Sequence, residues 1–472
     1  MLDIIILPSL IVVGFVLHLI LKRTEIGRHW LLPRLSPTSD ATKSKSSSTS
    51  LKYERPPSRR HALPGCSSYD ARSTTKQDFR HDQPLPDKQS VNPAIHQDCF
   101  TPTGITRREI QQLRDFPDYA GLSGVPLPDP CLEFDITKAM ARPYRPFRWV
   151  YHQTMSLQKL DPNWWLELDR NYIETVRLRK ELFEKQGSDV LQVLPGSELA
   201  AKELMEMCLQ FLCARYPHYF QLSECNTIFH NLILQTQTHL PSTSPFDVLL
   251  ENIPEDFAIM LRDPSTGSYT FRAGIIMSSL GWTLGSKIGK RLDEVHGPVP
   301  DYKARMSASM DRFFAKMPTD KPIQRGSWGI EVGKPLFMPA GPEREGLKAK
   351  QKLDRGIEDM HLRVDWQTLR RLPLSGAVVF NFKALFTPVE EFKDEAYVPT
   401  LLLKVLREGK ESLMEYKRNW CTEHVVVPAL EEYEREQIDR GIMEEEWEPC
   451  TLEENPFFPG WREKWHRQQG FV

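Results

Sequence analysis

A histidine on a stiff loop is the first residue whose setting suggests chemistry. His296 lies in the motif VHGPVP, where Pro298 and Pro300 restrict the backbone after it and Gly297 permits a close approach of another group. A rigidly held imidazole is what an axial haem ligand or a general base requires. A single histidine more often has a structural role, so both interpretations stay open at this point.

A second group of polar side chains lies in the segment RPYRPFRWVYHQTMSLQKLDP, residues 142–162. Arg145, Arg148 and His152 crowd there beside tryptophan and tyrosine. Arginine offers a planar fork of donors, so a guanidinium next to aromatic rings suits recognition of a carboxylate or a phosphate. Surface charge with aromatic rings packed beneath it explains the same spacing equally well.

A third group precedes a hydrophobic strand. Asp365, Gln367 and Arg370 lie in RVDWQTLRRLPLSGAVVFNF, directly before the apolar residues of 377–386. We expect some of these side chains to reach the rim of whatever the sheet encloses. Their concentration exceeds what stability alone requires.

Several common active sites and partners are excluded by inspection. The sequence has no GxGxxG after a strand, no GxxxxGK[ST], no GxSxG and no HExxH. Its eight cysteines show no CxxC spacing of the kind that binds zinc or an iron-sulfur cluster. The 61 basic and 63 acidic residues nearly cancel, so we predict no nucleic-acid partner.

The N-terminal segment predicts a membrane anchor. Residues 4–21 form an almost uninterrupted apolar run, close to the ~20 residues that a spanning helix needs. Positive charge follows the run at Lys22 and Arg23, whereas a cleaved signal peptide, the alternative, has a basic start. Because positive charge marks the cytosolic side, we predict a single-pass anchor with the globular body in the cytosol. The Ser- and Pro-rich stretch 22–95 predicts a disordered tether.

Helical patterns flank the centre of the chain. Asp161 and Pro162 predict the start of a helix that Gly187 closes, and Ser197 predicts the start of a second one that ends by residue 217. A further helical region is expected over 399–420. A charged stretch with Gly and Pro over 333–358 predicts a surface insertion.

Strand patterns occupy the middle. Residues 257–277 predict a hairpin around a turn at 263–267, and 328–332 and 377–386 supply two more strands. Strands clustered between helices favour an α+β fold with an antiparallel sheet. We predict one such domain over 96–450, followed by a C-terminal tail over 451–472.

These segments together resemble the haem-dependent oxidative N-demethylase alpha-subunit family. The stretches that carry the resemblance occur in the family's order: RPFRWVYHQTMSLQKLDPNWWLELDRNY (145–172), RYPHYF (215–220), PEDFAIM (254–260), GWTLGSKIGKRLDEVHGPVP (281–300), RGSW (325–328) and QTLRRLP (367–373). The resemblance implies a PAS-like α+β domain that binds haem b. It also implies oxidation of an N-methyl amine with O2, which releases formaldehyde.

The resemblance assigns roles to particular residues. His296 is the candidate ligand of the haem iron, with His152 as the alternative. Buried propionates need charge-assisted partners, and the candidates for that role or for the distal pocket are arginines. They are Arg145, Arg148, Arg325 and Arg370. Candidates for orienting the amine or delivering protons are Asp365, Gln367 and Arg370.

The resemblance also has departures and alternatives. Trp366 stands where the family pattern has a basic residue, which predicts a larger or less polar substrate. No flavin, iron-sulfur or folate motif is present, so electrons must come from a separate reductase. The competing functions are a haem-dependent tailoring oxidase of specialised metabolism and a non-enzymatic PAS-like haem sensor or scaffold.

Overall fold

The computed structural model describes residues 101–152 and 154–471. The predicted anchor over 4–21 and the predicted tether over 22–95 lie outside these residues. Within the described part of the chain, no helix combines the length and the apolar character needed to cross a bilayer.

Antiparallel strands form two sheets. The strands are β1 (Gln158–Lys159), β2 (Leu191–Val193), β3 (Phe220–Leu222), β4 (Ile228–Asn231), β5 (Thr236–His239), β6 (Asp256–Arg262), β7 (Tyr269–Ile275), β8 (Ile323–Val332), β9 (Met360–Arg371) and β10 (Val378–Pro388). The large sheet has the order β1-β8-β9-β10-β6-β7-β2, and β3, β4 and β5 form the small one. The fold class is therefore α+β with an antiparallel sheet, as the sequence predicted.

Helices surround the large sheet. They are α1 (Arg107–Gln112), α2 (Tyr119–Ser123), α3 (Tyr172–Gln186), α4 (Glu198–Arg215), α5 (Pro245–Asn252), α6 (Leu292–Val295), α7 (Ser307–Lys316), α8 (Pro342–Lys348), α9 (Val398–Glu408), α10 (Glu411–Lys417), α11 (Trp420–Asp439) and α12 (Trp461–Gln468). A π-helical turn, Tyr302–Met306, leads directly into α7.

The two faces of the large sheet bury different sets of side chains. Because side chains alternate along a strand, Trp366 and its even-numbered neighbours on β9 face the main core, where large aromatic residues such as Trp165 and Phe257 are buried. On the other face, Leu369 and Phe380 pack in a smaller core with residues of α6 and α7 and of the π-helical turn. A short helical layer therefore covers the second face.

The hairpin predicted around 263–267 and the helix predicted after Ser197 are confirmed. The helix predicted to start at Asp161 starts later in the chain. Asp161 caps only a short 3₁₀ turn, and α3 begins at Tyr172 before ending at Gly187. The intervening chain is held by buried contacts. The Glu167 N–H donates to Glu255 at 2.9 Å, and its carbonyl accepts from Lys383. These contacts replace the backbone hydrogen bonds that a helix would need.

The segment after residue 450 is an integral part of the body through residue 471. Phe458 is only 1% exposed. The indole of Trp465 donates to the Met140 carbonyl at 2.8 Å, and the Asn455 amide donates to the Phe147 carbonyl at 2.8 Å. The stretch predicted as a C-terminal tail thus packs against the N-terminal part of the described chain.

Arg145 belongs to this packing. Its guanidinium makes a bidentate ion pair with Glu395, with N–O distances of 2.6 and 2.7 Å, and both side chains are almost fully buried. Lys464 on α12 adds a second cation at 2.8 Å from the same carboxylate. The ion pair joins three distant parts of the chain.

We expect Arg145→Gln to lower the free energy of unfolding by about 3 kcal/mol, because breaking a buried pair leaves the Glu395 carboxylate undercompensated. Urea denaturation measures the change. Arg177→Gln is the control, since Arg177 pairs with Glu174 and Glu181 on an exposed helix face and its loss should matter little. Equal small effects for both variants would contradict the buried arrangement.

Glu203 on α4 ties this helix to the turn between β9 and β10. Its carboxylate accepts the backbone N–H of Leu374 and, at 2.8 Å, that of Ser375. Burial raises the pKa of Glu203 from its ordinary value of 4.5 to about 7, although both N–H donors favour the charged form.

Stability should therefore fall as pH rises from 5 to 8. The folded state holds the Glu203 proton more tightly than the unfolded state, so the stabilisation present below pH 4.5 is lost as pH rises through 7, at up to ~1.4 kcal/mol per pH unit. Glu203→Gln removes this titration and should flatten the curve of unfolding free energy against pH. An unchanged slope in the variant would show that the buried carboxyl titrates normally.

Candidate functional site

A cavity of about 620 Å³ lies between the large sheet and the short helical layer. Its size falls within the roughly 300–1,000 Å³ typical of small-molecule and cofactor sites. The sheet contributes residues of β6 to β10, and the opposite wall comes from α6, the π-helical turn and α7. Residues of the stretches 146–152 and 154–156 and of α10 complete the boundary.

One part of the cavity is an apolar slot. On the sheet side, the rings of Phe380 and Phe382 stack at 5.7 Å with an interplanar angle of 6°. The facing helical wall presents aliphatic and methionine side chains: Leu292, Val295, Val299, Met306 and Met310. Flat apolar walls of this kind bind a planar, largely apolar group and keep water away from it.

His296 borders the cavity at the end of α6. Its Nδ1 lies 2.8 Å from the Leu292 carbonyl oxygen, and its ring stacks on Tyr302 at 4.9 Å and 11°. The carbonyl can only accept, so Nδ1 carries the proton and Nε2 keeps its lone pair. Burial lowers the pKa of His296 to about 4, and within the described chain Nε2 has no hydrogen-bond partner. A neutral imidazole with a fixed Nδ1–H is the usual arrangement of a metal-binding histidine.

Local sequence explains why His296 is held there. The Glu294 side chain accepts the Arg291 N–H at 2.8 Å, which starts the short helix α6. After the histidine, the Val299 N–H donates to the His296 carbonyl at 2.9 Å, so the proline-containing loop turns tightly. This turn agrees with the loop expected from Pro298 and Pro300, and its rigidity stays a prediction.

Three cations form what we call the basic cluster, Arg148, Arg325 and Lys417. Arg148 donates to Thr154 Oγ1 at 3.0 Å, and the Nε atom of Arg325 is buried without a hydrogen-bond partner. The amine of Lys417 lies 4.1 Å from the centroid of the Trp328 indole. Among the described residues, none of the three makes an ion pair with a carboxylate.

Burial acts on all three cations of the basic cluster. It lowers the pKa of Arg325, which the neighbouring Arg148 charge lowers further. It also lowers the pKa of Lys417 to about 7, against the opposing influence of Asp365. Cations held in this way bind an anion with a larger gain than exposed cations do, because part of the desolvation has already occurred in the protein.

Asp365 and Gln367 lie on the same sheet face. Arg363 binds Asp365 Oδ1, with Nε and Nη2 at 2.9 and 2.8 Å, while Oδ2 has no partner within the described chain. The Asp365 side chain is 42% exposed, so it reaches the open part of the cavity. Gln367 stands directly opposite Arg325 in the register of β8 and β9.

The structure therefore brings together most of the predicted site residues. The cavity is bordered by Arg148, His152, His296, Arg325, Asp365 and Gln367. His152 differs from His296 because it is exposed, on a segment without regular structure, with Nδ1 3.1 Å from the Val150 carbonyl oxygen. His296 is the better placed of the two to bind a group inside the cavity.

Arg145 and Arg370 do not border the cavity. Arg145 is committed to Glu395, and Arg370 faces the main core, where its guanidinium lies 4.1 Å from the centroid of the Trp165 ring. Trp366 also faces away, since its indole donates to Gln324 at 3.1 Å on the far side of β9. The expectation that Trp366 reshapes the substrate pocket is wrong, because even-numbered residues of this strand cannot reach it.

Among the described residues, sequence reasoning missed three lysine and arginine residues of the cavity wall that make no ion pair with a carboxylate. Lys287 stacks on Trp282 at 4.0 Å, and burial lowers its pKa to about 8. Arg344 comes from the predicted insertion, which forms α8 and approaches the backbone at Gly281. Lys417 lies in a stretch whose pattern predicts only a helix, so its sequence position did not indicate a site residue. Only Lys287 had a usable signal, because it lies in the same segment as His296.

The fold and this cavity define the class of the protein, an α+β domain whose antiparallel sheet and helical layer enclose a site for a cofactor or a small molecule. Residues 156–427 match the model of the family described as haem-dependent oxidative N-demethylase, alpha subunit-like. The match covers more than half of the chain, and the chain belongs to this family. The matched range includes His296, Arg325, Asp365 and Gln367.

The orientation of Arg370 generates a prediction. Because it is a buried cation without a carboxylate partner among residues 101–152 and 154–471, replacement by an apolar side chain of similar size should leave the unfolding free energy unchanged or higher. Arg370→Met should also leave ligand binding in the cavity intact. Chemical denaturation and calorimetry measure the two quantities, and a selective loss of binding would place Arg370 in the site after all.

Proposed function

We propose that this protein is a haem-dependent oxidoreductase that removes an N-methyl group from an amine with O2 and releases formaldehyde. The observation that carries the proposal is His296, a half-buried neutral imidazole with a fixed Nδ1–H and, within the described chain, an unengaged Nε2 beside an apolar slot. The family description, which names haem dependence and oxidative N-demethylation, supports it.

The residues around the cavity fit haem b. His296 Nε2 would ligate the iron, and the apolar residues of the two walls would enclose the macrocycle. The propionates need cationic partners, which Arg148 and Lys287 would supply, because neither makes an ion pair with a carboxylate in the described chain. Bound haem would supply the activation of O2 and the redox chemistry.

The protein's own contribution is to position the substrate and to move protons. Asp365 Oδ2 would accept a hydrogen bond from the substrate ammonium, and Gln367 would orient the group beside it. The nearby Lys417, with its pKa near 7, is suited to transfer a proton at neutral pH. The apolar walls would exclude bulk water from the reacting carbon.

The overall reaction would consume one O2, two electrons and two protons for each N-methyl group, and would yield formaldehyde, water and the demethylated amine. The electrons would come from a separate reductase. Membrane attachment through residues 4–21, with the body in the cytosol, remains part of the proposal and rests on the apolar run and the basic residues after it.

The PAS-like character of the domain is also proposed. Its support is the antiparallel sheet with a ligand cavity between one face and a short helical layer. Asp365 and Gln367 favour an enzyme over a sensor or scaffold. Both are polar groups on the cavity face, and binding of haem alone does not require them. A tailoring oxidase with another substrate shares the same site, but Trp366 no longer supports it.

We expect the full-length protein to show a Soret band that shifts on reduction with dithionite. His296→Ala should lose or alter this band because the iron loses its axial nitrogen, and added imidazole should restore it in part. His152→Ala is the matched control and should resemble the parent protein. Absorption spectra before and after reduction measure these outcomes.

A colourless parent protein that takes up no added haem would overturn the proposed function. Identical spectra for His296→Ala and the parent would keep the haem but remove His296 as its ligand. The same change in His152→Ala alone would transfer that role to the exposed histidine.

A further inference from the structure

The cavity wall holds more unneutralised positive charge than haem can use. Among the described residues, five cations on this wall make no ion pair with a carboxylate, namely Arg148, Lys287, Arg325, Arg344 and Lys417. Haem b carries two propionates. If the proposed function holds, at least one further anion is needed to balance a site of this composition.

The carboxylates on the same wall do not supply this balance. Asp256 is bound by Arg179 and by the Ser278 hydroxyl, Glu331 pairs with Lys348 at 2.8 Å, and Asp365 pairs with Arg363. Glu415 is exposed. A small alkylammonium ion alone would therefore enter a cavity whose charge repels it, apart from the free oxygen of Asp365.

Arg325 is the cation best placed to receive the additional anion. It lies on the cavity face of the sheet, where it is the register partner of Gln367. Its buried Nε has no hydrogen-bond partner within the described chain, which is costly unless a ligand supplies one. Arg148 and Lys417 lie close enough to interact with its charge, because Arg148 lowers the pKa of Arg325 and Arg325 in turn lowers the pKa of Lys417.

Asp365 provides the complementary negative charge at a defined spacing. In the register of β8 and β9, Arg325 pairs with Gln367 and Ser327 pairs with Asp365. Arg325 and Asp365 are thus diagonal neighbours on one face, in positions that are roughly 7–8 Å apart in an antiparallel pair. A cation and an anion separated in this way match a zwitterion whose carboxylate and ammonium lie a few bonds apart.

We infer that the substrate is an N-methylated amino acid, whose carboxylate is bound by Arg325 with Lys417, and whose methylated ammonium is bound by Asp365. This inference deepens the proposed function and rests on it for the reaction. The binding half, recognition of a zwitterion, concerns the chain's own residues.

The test compares two probes that differ only in the anion, N-methylglycine and N-methylglycinamide. Isothermal calorimetry with the haem-loaded full-length protein should show that N-methylglycine binds at least about tenfold more tightly, the equivalent of one charge-assisted hydrogen bond. Equal affinities would overturn the inference.

Variants separate the substrate role from a haem role. Arg325→Gln should reduce the preference for N-methylglycine to less than about threefold while haem affinity stays within about threefold of the parent. Arg370→Met, on the opposite face of β9, is the control and should keep the preference. A loss of haem affinity with the preference intact would assign Arg325 to a propionate and contradict the inference.

Two further measurements keep the outcome decisive. Asp365→Asn should weaken the binding of both probes to a similar extent, because both carry the ammonium group. A loss of affinity confined to N-methylglycine would contradict the assigned orientation.

If the parent protein takes up no haem, the proposed function fails by itself. Calorimetry on the haem-free protein then tests zwitterion binding separately, with the same expected preference and the same contradicting result.

Discussion

The alternation of side chains along β9 is the constraint on which the rest of the structure depends. This strand lies within the large sheet, so one set of its residues must enter the main core while the other set faces the helical layer. Trp366 and Arg370 belong to the first set, and Asp365 and Gln367 to the second. A shift of one residue in register would move the polar residues into the core and abolish the cavity.

The cavity itself is a consequence of incomplete packing on the second face. The helical layer formed by α6, the π-helical turn and α7 packs on the apolar part of the sheet face around Leu369 and Phe380. Towards β8 the cavity is bounded instead by the segment that bears Arg148 and by α10, and these elements bring Arg148 and Lys417 to Arg325. Within the described part of the chain these partly desolvated charges pair with no carboxylate, which costs stability and is characteristic of binding sites.

Much of this arrangement could be predicted from the sequence, and the reasons for the rest are physical. The hairpin around 263–267 follows from local turn preferences, and the helix after Ser197 follows from its apolar periodicity. The Ser197 hydroxyl donates to the Leu194 carbonyl and does not cap the helix. The tight turn after His296 agrees with the two prolines that follow it. The helix expected from residue 161 failed because Glu255 and Lys383, distant in sequence, bind its backbone.

The candidate site shows the same division between local and distant information. Arg370 was grouped with Asp365 by proximity in sequence, although the odd spacing between them already places them on opposite faces once β9 is known to be a strand. Arg145 required knowledge of Glu395, and Lys417 required knowledge of where α10 packs. No local pattern contains these contacts, because each joins residues far apart in the chain.

The central claim is that His296 binds the iron of haem within this cavity. The most direct test is an anomalous difference map at the iron absorption edge, from crystals of the haem-loaded full-length protein. We predict a single strong peak at coordination distance from His296 Nε2, between the helical layer and the sheet face that bears Phe380 and Phe382. A peak beside His152, or one outside the cavity, would contradict the account.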